Sequence, residues 1–311
     1  MQPLCNGSVI PVDQSVKEPD SPASIKTAGS AVAHSLSRIA EGLVRAGRGE
    51  SLQWEGFTLW THFQPVYSVR LGACAGFEAL IRAADMDGAA IRPEQLFEST
   101  HAKGDGVLLD WICRALHLRN FATVDPGDRK LFINVHPEAA MGDSGCAREF
   151  ADLIRYYGVA PKRVCVEILE SGCADEGLLR EAVKGYRELG ASIAMDDFGV
   201  GRSNFDRIVA LRPDVVKIDR SVLNDAVGDE KARRMLPAIV ELLHQSGAEV
   251  AIEGIESAHE ALIAMDSGAD LLQGIYFAAP SANLPDERLT KRILGELLRM
   301  RGSPRLAAAG D

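Results

Sequence analysis

Two charged residues lie in the run AGFEALIRAA, which otherwise contains only small and apolar residues. They are Glu78 and Arg82, four positions apart. Burying an ion is costly unless the ion is paired, hydrogen-bonded or bound to a metal. In a strand the two side chains share a face, but strand rise separates them by about 13 Å. Each charge therefore needs a partner other than its neighbour in the run.

Charged and amide side chains also end several other short β-rich runs. They are Asn134 in LFINVHP, Glu167 in VCVEILE, Asp196 and Asp197 in SIAMDDF, Lys217 and Asp219 in VVKID, Glu253 in EVAIEGIE and Gln273 in LLQGIYF, with Glu170 and Glu256 just beyond their strands. One such residue could be a satisfied core polar group, but a series of them does not fit a structural core, which would place Val, Ile and Leu there.

Carboxylates gathered this closely repel one another unless cations lie between them. Oxygen ligands from Glu, Asp and Asn suit hard divalent ions such as Mg²⁺ or Mn²⁺. Two ions that share one bridging carboxylate are the usual arrangement for in-line displacement at phosphorus. The pattern therefore predicts an acidic site that binds metal, with two ions.

The elements that would position this site alternate between strands and helices from about Leu52 onward. Such alternation indicates βαβ units and a mostly parallel sheet. Eight candidate strands in about 230 residues predict a TIM-like (β/α)8 barrel, whose site lies at the C-terminal ends of its strands. No helix separates the first two strands, so we expect an irregular barrel whose first strand is antiparallel. An open, doubly wound sheet is the alternative fold.

The chain divides into three parts by composition. Residues 1–50 predict a disordered tail followed by one amphipathic helix over 29–47, with an apolar stripe at Val32, Leu36, Ile39 and Leu43. That helix would pack on the main domain or contact a dimer mate or partner protein. We expect the barrel over 51–300 and a flexible tail over 301–311.

Overall charge and cysteine usage exclude several classes of protein. The 311 residues carry a formal charge of −10, which argues against binding to duplex nucleic acid. The six cysteines form no C-x-x-C pair, which favours free thiols in a reducing compartment. No signal peptide is recognisable and no apolar run approaches the ~20 residues of a membrane span. These features predict a cytoplasmic protein.

Other catalytic motifs are missing from the sequence. It contains no G-x-S-x-G, no Walker loop and no H-E-x-x-H. His136 shares the inward face of Asn134, but a structural role is the favoured interpretation for it.

Eight strings in order resemble the EAL phosphodiesterase domain of bacterial cyclic-di-GMP signalling. They are FQPVYS, FEALIR, FINVHP, VEILES, DDFGVGRSNF, VVKIDRSV, AIEGIES and QGIYFAAP, and they span about residues 57–295. The resemblance implies metal-dependent hydrolysis of cyclic-di-GMP to linear pGpG, with Mg²⁺ or Mn²⁺ as cofactor. It also favours a homodimer.

Carried over by position, the resemblance implies a role for each site residue. Glu78, Asn134, Glu167 and Asp196 would bind one metal, with Asp196 bridging to a second ion beside Asp197. Lys217 would hold the attacking water, and Glu253 would be the general base or a second-metal ligand. The nucleotide would be contacted by Gln64 and Arg82, and the pocket completed by Asp219, Glu256 and Gln273. Glu170 would anchor the loop after the fifth strand.

The sequence departs from the family pattern at three positions. Leu169 stands where many active members have Thr, and Val200 and Arg202 replace the Thr and Tyr of the loop after Asp197. This loop is thought to couple dimerisation to metal binding in the family. Two alternatives to an active enzyme stay open: a receptor that binds cyclic-di-GMP without cleaving it, and an unrelated metal-dependent barrel enzyme such as a lyase.

Overall fold

The computed structural model of the protein covers most of the chain between Leu43 and Arg301. The described residues are 43–46, 49–102, 104–124, 127–136, 146–169, 176–200, 205–285 and 287–301. The predicted disordered tail, residues 1–28, and residues 29–42 of the predicted helix therefore lie outside them. So does the predicted flexible tail 301–311, except for Arg301, which ends the last helix.

Strands and helices alternate along the described chain. The strands are β1 (Leu43–Ala46), β2 (Gly49–Trp54), β3 (Phe57–Ser68), β4 (Ala73–Ala84), β5 (Ala90–Ile91), β6 (Lys130–Val135), β7 (Val164–Leu169), β8 (Ser192–Phe198), β9 (Val215–Ile218), β10 (Glu249–Ile252) and β11 (Leu271–Leu272). The helices are α1 (Pro93–His101), α2 (Gly106–Val124), α3 (Cys146–Tyr156), α4 (Glu176–Glu188), α5 (Phe205–Leu211), α6 (Arg220–Gly228), α7 (Glu230–Gln245), α8 (Ala258–Asp266) and α9 (Glu287–Arg301).

Eight of these strands close into a barrel. β4 and β6 to β11 run parallel to one another. β3 closes the ring by pairing antiparallel with both β4 and β11. The predicted barrel with an antiparallel first strand is confirmed, and the open-sheet alternative is excluded. All eight barrel strands coincide with runs identified in the sequence, because each carries the apolar, β-branched pattern of a strand packed on both sides.

The N-terminal end of the sheet differs from the prediction. Residues 43–46 form β1, which pairs antiparallel with β2 and places Leu43 opposite Leu52. The predicted helix over 29–47 is therefore wrong at 43–46, and its remaining residues lie outside the described chain. The 4-3-4 apolar spacing is a local signal, and it does not reveal a partner strand that offers backbone hydrogen bonds.

Two apolar layers hold the barrel together. The larger packs the outer faces of the strands against the surrounding helices. The smaller lies inside the ring and consists of Val66, Phe132, Cys165, Ala194, Val215, Ala251 and Leu271. On β6 to β11 each inner residue stands two positions before a predicted site residue. On the reversed strand β3, Val66 stands two positions after Gln64. Since side chains alternate along a strand, the polar residues form the next layer above this apolar floor.

No helix among the described residues is both long enough and apolar enough to cross a membrane.

Candidate active site

A buried lysine lies at the centre of the polar layer. Lys217, on β9, is 2% exposed. Its Nζ lies 2.6 Å from Glu167 Oε1, 2.7 Å from Glu253 Oε1, 3.2 Å from Asp196 Oδ1 and 3.3 Å from Glu78 Oε2. One ammonium group thus faces four carboxylates, each of which comes from or directly follows a different strand.

Three of these carboxylates form a compact set of oxygen donors. Oxygens of Glu78, Glu167 and Asp196 all lie within 4.8 Å of one another, and the three residues are buried. Among the residues that the structure describes, none donates a hydrogen bond to either Glu167 oxygen, although Oε1 is ion-paired with Lys217. Buried acceptors are normally satisfied. A carboxylate with spare lone pairs beside two others suits a hard divalent cation, so these residues fit a Mg²⁺ or Mn²⁺ site.

Three amide side chains connect to the cluster through Glu78. Asn134 Nδ2 donates to Glu78 Oε1 at 3.0 Å, and Gln273 Nε2 donates to Glu78 Oε2 at 2.7 Å. Gln273 Nε2 also lies 3.3 Å from Gln64 Oε1. Gln64 is opposite Glu78 in the β3–β4 ladder, which explains how the reversed strand reaches the site. These contacts bring together three residues that were predicted to bind metal or nucleotide.

The electrostatics show an excess of negative charge. Burial is the main factor that raises the pKa of Glu167, Asp196 and Glu253, and repulsion from neighbouring carboxylates adds to it. Burial also acts to raise the pKa of Glu78, but Lys217 and the amide donors outweigh it, and that pKa is lowered. The carboxylates raise the pKa of Lys217 despite its burial. A charged lysine surrounded by carboxyl groups with raised pKa values is the pattern expected where a further cation binds.

The end of β8 turns so that two successive aspartates reach the site. Asp197 has a φ of 58°, and its N–H donates to Asp196 Oδ1 at 3.0 Å. The β8–β9 ladder shifts register between Met195 and Phe198, which interrupts the alternation of side chains. Burial and the charges of Asp196 and Asp219 raise the pKa of Asp197 to about 6. A positive φ outside glycine is unusual and often marks a functional site.

The remaining predicted residues lie further from the cluster. Arg82 is half-buried and donates to its neighbour's carbonyl, Ile81 O, at 2.9 Å. Asp219 begins α6 by accepting from Ser221 N at 2.8 Å. Glu256 is exposed and ion-paired with Arg220 rather than with any cluster residue. Glu170 lies outside the described residues.

The family assignment follows from a direct match. The family model described as "EAL domain" matches residues 52–280, which include all the barrel strands. The chain belongs to the EAL domain family.

Relatives of this EAL domain include a cyclic di-GMP phosphodiesterase and a signaling protein. The cyclic di-GMP phosphodiesterase PA2567 of Pseudomonas aeruginosa is 30% identical over 238 residues, which cover 75% of this chain and 39% of that protein. The signaling protein YkoW of Bacillus subtilis is 29% identical over 259 residues, covering 79% of this chain and 30% of that protein. The chain therefore spans less than half the length of either relative.

Solved EAL structures share the barrel. The Bacillus subtilis YkuI protein, whose structure is a complex with c-di-GMP and calcium, superimposes with a TM-score of 0.67 at 24% identity. The match covers 80% of this chain and 62% of that one. This likeness supports the fold of the EAL domain described above.

Two of the departures from the family pattern cannot be placed on the structure. Arg202 and the side chain of Leu169 lie outside the described residues, whereas Val200 follows β8 and is 50% exposed. Val200 N donates to Asp197 O at 3.1 Å, so the substituted loop begins directly at the second aspartate.

One buried polar pair near the site was not identified from the sequence. Asp110 and Arg114, four residues apart on α2, form an ion pair, and both are buried. The signal was present in the run VLLDWICRAL, which is otherwise apolar and carries two charges one helical turn apart. Asp110 Oδ1 accepts from His136 N at 2.9 Å, which links the pair to the end of β6.

Proposed function

We propose that this EAL domain is a metal-dependent phosphodiesterase that hydrolyses cyclic-di-GMP to linear pGpG. The observation that supports it most is the buried set of Glu78, Glu167 and Asp196 oxygens at the barrel mouth, with Glu253 and Lys217 beside it. A receptor that only binds the nucleotide would not need this complete acidic set. The phosphodiesterase activity for which two relatives of this chain are named is consistent with the proposal.

The metal part of the proposal assigns the donors to two ions. Glu78, Asn134, Glu167 and Asp196 would hold one Mg²⁺ or Mn²⁺, and Asp196 and Asp197 would hold the second. When bound, such ions neutralise the phosphodiester and lower the pKa of water at the site. The spare lone pairs of Glu167 and the consecutive aspartates support this assignment.

The protein's own residues supply positioning and proton transfer. Lys217 Nζ orients the attacking water, and the nearby Glu253 carboxylate accepts its proton. Oxygen from this water bonds to phosphorus as the bond to the 3′-oxygen breaks. The 3′-oxygen takes up a proton from solvent, Glu253 returns its proton to solvent, and the ring opens to pGpG. Because burial raises the pKa of Glu253, its carboxylate holds a proton more readily than an exposed acid does.

The nucleotide part of the proposal uses residues around the rim. Arg82 contacts a phosphate or base, while Gln64 and Gln273 lie beside Glu78 in the polar layer. Asp219 and Glu256 complete the pocket, which for Glu256 requires release from Arg220. Glu170 anchors the loop after β8.

We also propose that the protein is cytoplasmic and forms a homodimer. Cys74, Cys113 and Cys165 are free thiols, which fits a reducing compartment. Because residues 43–46 form a strand, we do not propose that a helix over 29–47 contacts a partner protein.

A hydrolysis assay with added metal tests the proposed function. The full chain is incubated with cyclic-di-GMP and Mn²⁺ or Mg²⁺, and the product is identified by mass spectrometry. We expect pGpG, and we expect Glu167→Gln and an EDTA control to produce none. Binding of cyclic-di-GMP without turnover would identify a receptor instead, and no nucleotide binding would point to an unrelated barrel enzyme.

A further inference from the structure

A buried ion pair lies between the barrel and its surrounding helices, on the outer side of β6. Arg114 is 0% exposed and Asp110 3% exposed, both on α2. The Arg114 guanidinium lies 4.6 Å from the Trp111 ring centroid and 5.6 Å from that of Phe150, and Nη1 lies 3.3 Å from Tyr186 Oη. A buried ion pair is weak evidence for stability, since apolar residues of similar volume often replace it without loss. Its presence here points to a role other than stability.

The carboxylate of this pair reaches the backbone of the site. Asp110 Oδ1 accepts a hydrogen bond from His136 N at 2.9 Å. His136 follows Asn134 by two residues, just after the last residue of β6. Asn134 in turn donates to Glu78 Oε1 at 3.0 Å. A continuous series of contacts therefore joins the outer helix α2 to a residue of the acidic cluster.

The end of β6 is also held through the His136 ring. That ring stacks on Phe97 with an interplanar angle of 12° and centroids 6.4 Å apart, and it lies 4.9 Å from the His101 ring. Both contacts come from α1. Ring contacts tolerate small displacements, whereas the hydrogen bond from the backbone N–H has a defined direction and length. Asp110 thus supplies a directional contact at this strand end.

We propose that Asp110 is a positioning residue for Asn134. Its carboxylate fixes the position of the backbone at His136. This sets where Asn134 lies along the barrel axis relative to Glu78. Arg114 holds that carboxylate in the required orientation. The inference rests on the proposed function in one respect, because it takes Asn134 as a metal ligand. Side chains that orient metal ligands typically change metal affinity about 10–100-fold when they are removed.

Two double variants separate this role from packing alone. Asp110→Asn/Arg114→Met removes both charges but keeps an oxygen that accepts from His136 N. Asp110→Leu/Arg114→Met also removes both charges and has no acceptor. Neither leaves an unpaired buried charge, so both are expected to fold. Urea unfolding and circular dichroism check this. The two variants share the Arg114→Met change and differ only in the side chain at position 110.

Titration with Mn²⁺ alone gives the main readout. We expect the Asn double variant to bind Mn²⁺ within about threefold of the wild type, and the Leu double variant to bind about 10-fold or more weakly. Cyclic-di-GMP turnover should follow the same order, with a fall in kcat and little change in KM. Equal Mn²⁺ affinity in two folded double variants would overturn the inference.

A further variant keeps the test decisive. If the Leu variant does not fold, Asp110→Ser/Arg114→Met replaces it, because Ser is too short to reach His136 N and can bond its own helix backbone. Equal Mn²⁺ affinity of the Ser and Asn variants would again overturn the inference. A wild type that binds Mn²⁺ but cleaves no cyclic-di-GMP would refute the proposed function, while the Mn²⁺ comparison would still decide the role of Asp110.

Discussion

Lys217 Nζ lies 2.6 Å from Glu167 Oε1, and both side chains are buried. Three further carboxylates lie within 3.3 Å of the same nitrogen. The lysine is thus the protein's own counter-ion for the acids, but one positive charge does not balance four negative ones. Burial, with this excess of negative charge added to it, raises the pKa of Glu167 and Glu253. The excess also explains why the site fits divalent cations.

Replacing Lys217 by Met should destabilise the protein and make its stability depend more on metal. Breaking a buried ion pair by removing one partner typically costs roughly 3–5 kcal/mol. We expect a lower Tm in EDTA, a larger rise in Tm with Mn²⁺ than in the wild type, and loss of turnover. Thermal melts measure the first two. Arg234→Met, which breaks an exposed pair with Glu230, is the control and should change little. An unchanged Tm for Lys217→Met in EDTA would contradict the interpretation.

Glu78→Ala should abolish turnover while the fold survives. The change removes a metal ligand and leaves Lys217 with three other carboxylates nearby. We expect kcat/KM to fall at least ~100-fold, which corresponds to about 2.7 kcal/mol of transition-state stabilisation. The assay is pGpG formation, with circular dichroism as the check on folding. Glu241→Ala, at an exposed position on α7, is the matched control. Robust cleavage by Glu78→Ala would refute the metal assignment.

Metal binding should release protons and strengthen as pH rises. Raised pKa values mean that Glu167 and Asp197 keep protons to higher pH than exposed acids do, and those protons compete with the ion. For Asp197, whose pKa is raised to about 6, the competition fades as pH increases through that value. Calorimetry in two buffers of different ionisation enthalpy measures the release. A Mn²⁺ Kd that does not change between about pH 5 and 7 would be inconsistent with this model.

Arg82→Ala should weaken nucleotide binding without changing metal binding. Arg82 is on the inward face of β4, four residues beyond Glu78, and does not contact the acidic cluster. Hydrogen bonds to charged groups contribute about 1.5–3 kcal/mol, so we expect the Kd for cyclic-di-GMP to rise roughly 10–100-fold. Calorimetry with nucleotide and with Mn²⁺ alone separates the two effects. Arg70→Ala, exposed at the opposite end of the barrel, should leave both affinities unchanged. A matching loss of Mn²⁺ affinity in Arg82→Ala would show that Arg82 supports the metal site.

Gly274→Ala should disturb the strand end that carries Gln273. A Cβ at this position would overlap the Ile255 carbonyl oxygen, and a carbonyl held by Tyr276 N cannot move aside easily. Overpacking of this kind costs about 1–3 kcal/mol or more. Urea unfolding measures it. Gly228→Ala, which has open space around the new methyl group, should be neutral or slightly stabilising. Equal stability of the two variants would argue against the close approach.

The barrel and most of its polar layer could be predicted from the sequence. Strand parity placed Asn134, Asp196 and Lys217 on the inner face, because a two-residue period is a local property. Glu167 was predicted from its position near the end of its strand. The apolar residues two positions earlier complete that pattern. The same reasoning does not apply to Asp197, which follows the strand's register shift rather than its alternation.

Features that depend on distant partners could not be predicted in this way. The strand at 43–46 is stabilised by pairing with β2, while its sequence also fits an amphipathic helix. The ion pair between Glu256 and Arg220 joins the segment after β10 to the start of α6, and only the closed barrel brings these two parts of the chain together. The hydrogen bond from His136 N to Asp110 likewise connects residues 26 apart in the chain.

The reversed direction of β3 also decides where the polypeptide enters the barrel. Because β3 is antiparallel to its neighbours, its first residue, Phe57, lies at the rim where the other strands end. β2 ends at the same rim, and β1 begins beside Leu52, close to it. Leu43, the first described residue, thus lies on the side of the barrel that carries the acidic cluster. In a barrel of eight parallel strands the chain would enter at the far end, remote from that cluster.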